Sequence, residues 1–180
     1  MYAGAHLFLR EVLGSYAGLP PAALVLGVDA QQKPTLISNT SLWFNLSYRA
    51  QWAVLAVSNQ GEVGVDVEEI KPVAGADALV EQLFSLAEQA ALHHLAGVEW
   101  WALFYAIWTR KEAWAKLLGM GLALPFADFS VAAWTGTAVA WQLPAPGQLN
   151  GFALDITHAA ALATRLPTGE NPVVWQHYTY

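Results

Sequence analysis

The 180-residue chain contains no cysteine. That removes disulfides, zinc–thiolate centres and thiol nucleophiles together, leaving any chemistry to oxygen and nitrogen groups. Basic residues are scarce: eight Lys and Arg stand against fourteen Asp and Glu, a formal net charge of −6. This balance argues against general nucleic-acid binding. It also means that contact with an acidic protein would have to be largely apolar, which the nine tryptophans make feasible. Long apolar runs are missing as well. Hydrophobic content is 56%, yet Arg, Glu, Asn or Gly breaks every run short of a membrane span. No basic segment with an adjoining apolar one opens the sequence, so no signal peptide is read and a cytoplasmic location is expected. There is no glycine-rich phosphate loop, and no two histidines have metal-ligand spacing.

What is present concentrates in two stretches. Trp108-Thr109-Arg110-Lys111-Glu112-Ala113-Trp114-Ala115-Lys116 holds three Lys and Arg within a largely apolar region. Neither Pro nor Gly interrupts residues 98–118, and Gly119-Met120-Gly121 follows, which predicts one buried helix ending at glycine. On it Trp108, Glu112 and Lys116 share a face. Glu112 and Lys116 could simply form a helix-internal ion pair. The second stretch, Gly64-Val65-Asp66-Val67-Glu68-Glu69-Ile70, alternates valines with acids in the manner of a strand. Asp66 and Glu68 then point to one side with Gly64, and the valines to the core. Two neighbouring carboxylates repel, and a divalent cation such as Mg²⁺ resolves that repulsion. The competing reading is an edge strand with its acids in solvent.

The pair of stretches resembles the signature of the 4′-phosphopantetheinyl transferases, most closely the stand-alone, surfactin-synthetase-activating type that primes secondary-metabolite synthases. Lys33-Pro34, Phe44-Asn45-Leu46-Ser47, Phe84-Ser85-Leu86-Ala87-Glu88, residues 121–125 and Phe129-Ser130-Val131 extend it, so that it runs from Leu7 to about Arg165. The resemblance implies an α+β fold of two similar helix-plus-antiparallel-sheet lobes packed as a pseudo-dimer. The lobes would be residues 1–70, shortened at the start relative to the family, and residues 71–180. The implied activity is transfer of the phosphopantetheine arm from coenzyme A to a serine of an acyl or peptidyl carrier protein. Asp66, Glu68 and Glu112 would hold Mg²⁺, with Glu112 also the general base. Lys116 would neutralise the leaving phosphate and Lys111 assist phosphate binding or form an ion pair. Lys33, Pro34, Ser47 and Tyr48 match family positions that contact the adenine and 3′-phosphate end, and Arg10 is the only cation before Lys33. Tyr48 stands where the family usually has His, and Gln32 where it has Gly. With the family's N-terminal cations missing, weakened coenzyme A binding and self-association through a bare apolar face are expected. The alternative is a non-catalytic homologue that binds carrier protein or coenzyme A fragments.

Periodicity predicts a first helix over 5–16 and strands over 23–28, 42–48 and 52–58. A loop is expected over 71–77. Ser85 with Glu88 forms a capping box for a helix running to about Leu95. Strands are expected at 129–134, 138–143, 152–157 and 159–166, with a last edge strand at 173–178. A faint internal repeat, 9–19 against 114–124, supports two halves with the acidic site between them.

Overall fold

In the computed structural model, which describes residues 2–38, 41–131, 143 and 146–165, the longest element is the helix around Trp108. The elements in chain order are α1 (Tyr2–Ala17), β1 (Leu26–Val28), β2 (Pro34–Leu36), β3 (Trp43–Arg49), β4 (Trp52–Ser58) and β5 (Val63–Glu69). There follow α2 (Ala76–Leu83), α3 (Leu86–His93), α4 (Gly97–Leu118), β6 (Gln148–Asp155) and β7 (His158–Thr164). The fold is α+β. No helix among the described residues is long and apolar enough to cross a membrane.

Two apolar cores form among the described residues. Leu9 and Leu13 of α1 pack with Leu24, Leu36 and Phe44 over the β3–β4 hairpin. A larger cluster gathers around Phe84, Phe104, Trp114, Leu117 and Ala161. Each core is a helix laid on antiparallel strands. Where the acidic strand belongs was not legible in its own residues. β5 ends the first half in sequence, but its backbone pairs antiparallel with β7, in a sheet of order β5-β7-β6. The boundary expected at residue 70 therefore does not separate the sheets.

The outer edge of β5 is satisfied by side chains rather than by backbone. Val65 N–H donates to Asn45 Oδ1 at 2.9 Å, and Val67 N–H to Ser47 Oγ at 3.3 Å. β3 thus docks on β5 through an amide and a hydroxyl two residues apart, which meets the requirement that buried N–H groups find acceptors. Against the reading of a half-solvated strand, both faces of β5 are covered, and Asp66 is buried.

α4 ends as expected. Gly119 takes the left-handed conformation at φ 68°, and Met120 N–H donates to Ala115 O at 3.1 Å. The capping box at Ser85 and Glu88 is present. α2 was not anticipated, because it starts after Gly75 with no side-chain cap and so lacks a start signal. Phe129, Ser130 and Val131 lie in no strand, correcting the expectation there. The strand expected at 173–178, and all of that at 138–143 but Leu143, fall outside the described residues.

Candidate active site between α4 and β5

The site exists because α4 lies directly on β5. At Gly64 a Cβ would fall on the Ala113 carbonyl and the Leu117 amide, and 2.9 Å from Leu117 Cα, so only glycine permits this approach. The contact sets Lys116 of α4 against Asp66 of β5, and places Glu112 within electrostatic reach of Asp66 and Glu68.

Lys116 Nζ donates to Asp66 Oδ1 at 2.6 Å and to Ser47 Oγ at 3.1 Å. The helix-internal pair with Glu112 is not what forms; the ammonium goes to the more buried carboxylate across the interface. Ser47 Oγ in turn donates to Asp66 Oδ1 at 3.0 Å while accepting from Val67 N–H, so its hydroxyl is fully used. Asp66 Oδ2 is buried and has no hydrogen-bond partner. Burial of an unmatched carboxylate oxygen is costly, and it marks a place where a cation or a donor would fit.

Burial pushes the Glu112 carboxyl above its ordinary range and Asp66 pushes it further, with Lys116 opposing. Glu68 is raised for the same two reasons, burial first and Asp66 second, against the pull of Arg49. Arg49 Nε lies 3.2 Å from Glu68 Oε2. The three carboxylates thus feel one another, but among the described residues no three acidic or imidazole groups stand close enough to hold a metal ion. In this arrangement Asp66, Glu68 and Glu112 act on one another through their charges. Lys116 engages Asp66, and Arg49 engages Glu68.

The expected coenzyme contacts are dispersed. Lys111 is fully buried: its Nζ donates to Phe126 O at 2.5 Å and Phe129 O at 2.7 Å, and lies 2.9 Å from Glu88 Oε2. Of the two roles expected for Lys111, the ion pair is the one present. The position of Lys111, one residue before Glu112, turns it by roughly 100° about the axis, onto the core-facing side of α4. Lys33 Nζ donates to Val63 O at 3.0 Å and Leu117 O at 3.1 Å, tying β5 to the end of α4. Burial lowers its pKa, with Glu62 opposing. Arg10 donates to Pro21 O and Leu24 O. Pro34 opens β2 and is exposed. Tyr48 stands edge-on to Tyr2 and His6, ring centroids 6.4 and 6.3 Å away. Asn45 and Glu88 were missed as members of the framework. The signal for Asn45 was its place two residues before Ser47 on a strand, on the same face.

Loss of the Lys116 ammonium should be felt without any substrate. Lys116→Met strands the Asp66 carboxylate in a largely dry setting. Because Lys116 keeps 29% of its side chain exposed, we expect about 2 kcal/mol rather than the ~3–5 kcal/mol of a fully buried pair. Calorimetry in chelator should show the melting temperature down by roughly 4–8 °C; an unchanged value would mean that the pair contributes nothing.

A model of the 4′-phosphopantetheinyl transferase superfamily matches residues 62–163, a span that includes Asp66, Glu68, Glu112 and Lys116. The chain is 29% identical over 171 residues to the 4′-phosphopantetheinyl transferase psf-1 of Bacillus pumilus, covering 93% of this chain and 72% of that one. It is 31% identical over 138 residues to a 4′-phosphopantetheinyl transferase of Bacillus subtilis, covering 77% and 60% respectively. A holo-(acyl-carrier-protein) synthase from Bacillus anthracis strain Ames, solved in complex with CoA (3′,5′-ADP), aligns with 58% of this chain and 95% of its own, at TM-score 0.49 and 17% identity. The family model takes in more than half of the chain and both acidic motifs, and the chain belongs to the 4′-phosphopantetheinyl transferase superfamily.

Proposed function

We propose that the chain transfers the 4′-phosphopantetheine arm of coenzyme A to a serine of an acyl or peptidyl carrier protein, in the cytoplasm and in service of secondary-metabolite synthesis. The observation that carries this reading is the close packing of α4 on β5 at Gly64, which sets Glu112 and Lys116 of one family motif against Asp66 and Glu68 of the other.

In this reading Glu112 takes the proton of the carrier serine. A carboxyl raised by burial and by Asp66 suits that task at neutral pH better than an exposed one. The serine oxygen forms a bond to the diphosphate phosphorus that carries the pantetheine arm, and the bond to the bridging oxygen breaks. Adenosine 3′,5′-bisphosphate departs with the electron pair. Lys116 exchanges Asp66 for the departing phosphate and neutralises it. Asp66, Glu68 and Glu112 would hold Mg²⁺; the unpartnered Asp66 Oδ2 and the mutual push among the three carboxylates fit a hard cation with oxygen ligands. When bound, the ion supplies charge neutralisation at the diphosphate. Self-association would use the exposed apolar side chains of α1, among them Tyr2, Leu7 and Tyr16.

A non-catalytic reading draws support from one observation: Arg10 and Lys33 spend their charges on backbone carbonyls, and Lys111 on two carbonyls and Glu88. Incubation of the chain with an apo carrier protein, coenzyme A and Mg²⁺, followed by mass spectrometry of the carrier, separates the two. A carrier heavier by one phosphopantetheine arm is expected. An unmodified carrier, with coenzyme A binding demonstrated by calorimetry, would establish the non-catalytic reading instead.

A further inference from the structure

The capping box and the central helix, unrelated in sequence, are joined by the most buried ion pair among the described residues. Glu88 and Lys111 are both 0% exposed. The three ammonium hydrogens of Lys111 have three acceptors: Phe126 O at 2.5 Å, Phe129 O at 2.7 Å and Glu88 Oε2 at 2.9 Å. Glu88 Oε2 also accepts from Ser85 N–H at 2.8 Å, and Oε1 from Val131 N–H at 2.7 Å. The pair therefore fastens α4 to the start of α3 and to the segment from Phe126 to Val131. Around it lie Phe84 and Phe129, the latter with its ring 4.4 Å from the ammonium.

Stability does not explain such a pair. Taking both charges out of water costs several kcal/mol each, and apolar replacements of similar volume are often as stable or more so. A saturated, directional network does what apolar packing cannot: it admits one register and one rotation of the helix. α4 needs that. It is apolar on most of its circumference, with Phe104, Tyr105, Ile107, Ala113, Trp114 and Leu117 all buried, and such contacts are non-directional. A slip of one residue would turn each side chain by roughly 100° about the helix axis. Lys111 immediately precedes Glu112, so the bearing of one dictates the bearing of the other.

We propose that Glu88 and Lys111 are positioning residues that set the rotation of α4 and so aim Glu112 at Asp66 and Glu68. This rests on the transfer reading given above, and the experiment keeps the two apart. The double variant Glu88→Gln/Lys111→Met removes both charges at once. In folded protein, checked by circular dichroism and melting, kcat for carrier modification should fall at least tenfold while KM for coenzyme A stays within threefold. A second readout needs no turnover: terbium(III), excited through Trp108, one helical turn before Glu112, reports how well the carboxylates gather on a hard cation. The double variant should bind terbium at least fivefold more weakly than the parent. If the double variant does not fold, Glu88→Asp decides; it keeps the charge but pulls the carboxylate back by one methylene, and should show the same two losses in smaller degree. Parent-like kcat and parent-like terbium affinity in a folded variant would overturn the proposal. If the parent itself modifies no carrier, the transfer reading fails, and terbium binding alone decides this one, with equal binding or none in both proteins counting against it.

Discussion

Glu112→Gln should reduce carrier modification at least a hundredfold and leave the fold intact. The substitution keeps size and hydrogen-bonding capacity but removes the base and one of three carboxylate charges. Loss of a positioned general base alone costs about 10²–10⁴ in rate. The folded state should not suffer, because Glu112 is raised first by burial and then by Asp66, so its charged form is the one that the fold disfavours. The sign follows. A carboxyl whose folded pKa lies above its unfolded value contributes nothing below both values and a penalty above both. In chelator, the glutamine variant should thus melt level with the parent in acid and slightly above it at neutral pH. Near-parental turnover would take Glu112 out of the mechanism; a melting temperature well below the parent's would mean that its carboxylate is structural.

Gly64→Ala should have the second-largest effect, and through geometry alone. The added Cβ meets the Ala113 carbonyl and the backbone of Leu117, and no side-chain rotation can clear backbone atoms. α4 must lift from β5. Overpacking of this kind costs about 1–3 kcal/mol, and the melting temperature should fall by roughly 2–4 °C for each kcal/mol. Activity should drop further than stability. Lifting the helix moves Glu112 and Lys116 away from Asp66 together, and a displacement of about 1 Å at a reacting group costs on the order of a hundredfold in rate. Gly4→Ala is the control: a Cβ there meets nothing within 4 Å, and neither stability nor turnover should be reduced. If Gly64→Ala is as harmless as that control, the close approach of α4 to β5 is not what builds the site.

Several features needed nothing but the sequence. The helix around Trp108 was legible from an unbroken apolar run and a glycine stop, because helix propagation and its left-handed cap are local events. The alternation of Val65, Asp66, Val67 and Glu68 declared a strand, since its period is set by backbone geometry. The Ser85–Glu88 capping box closes within four residues and formed as read. The two acidic motifs together pointed to the superfamily, to which the chain belongs.

The tertiary structure decided which partner each charge takes. Spacing on a helix puts Glu112 and Lys116 side by side, yet the ammonium reaches fifty residues back to Asp66. Lys111 lay in a motif full of site residues, but the helix turns it into the core, to Glu88. Lys33 was expected on a phosphate and lies on two carbonyls. β5 ended the first half in sequence and joined the sheet of the second. The reason is the same in each case. Local patterns follow from steric and hydrogen-bonding rules acting over one or two turns. The partner of a long charged side chain, or of a strand edge, depends on which groups are removed from water together when distant segments meet, and a linear sequence does not contain that.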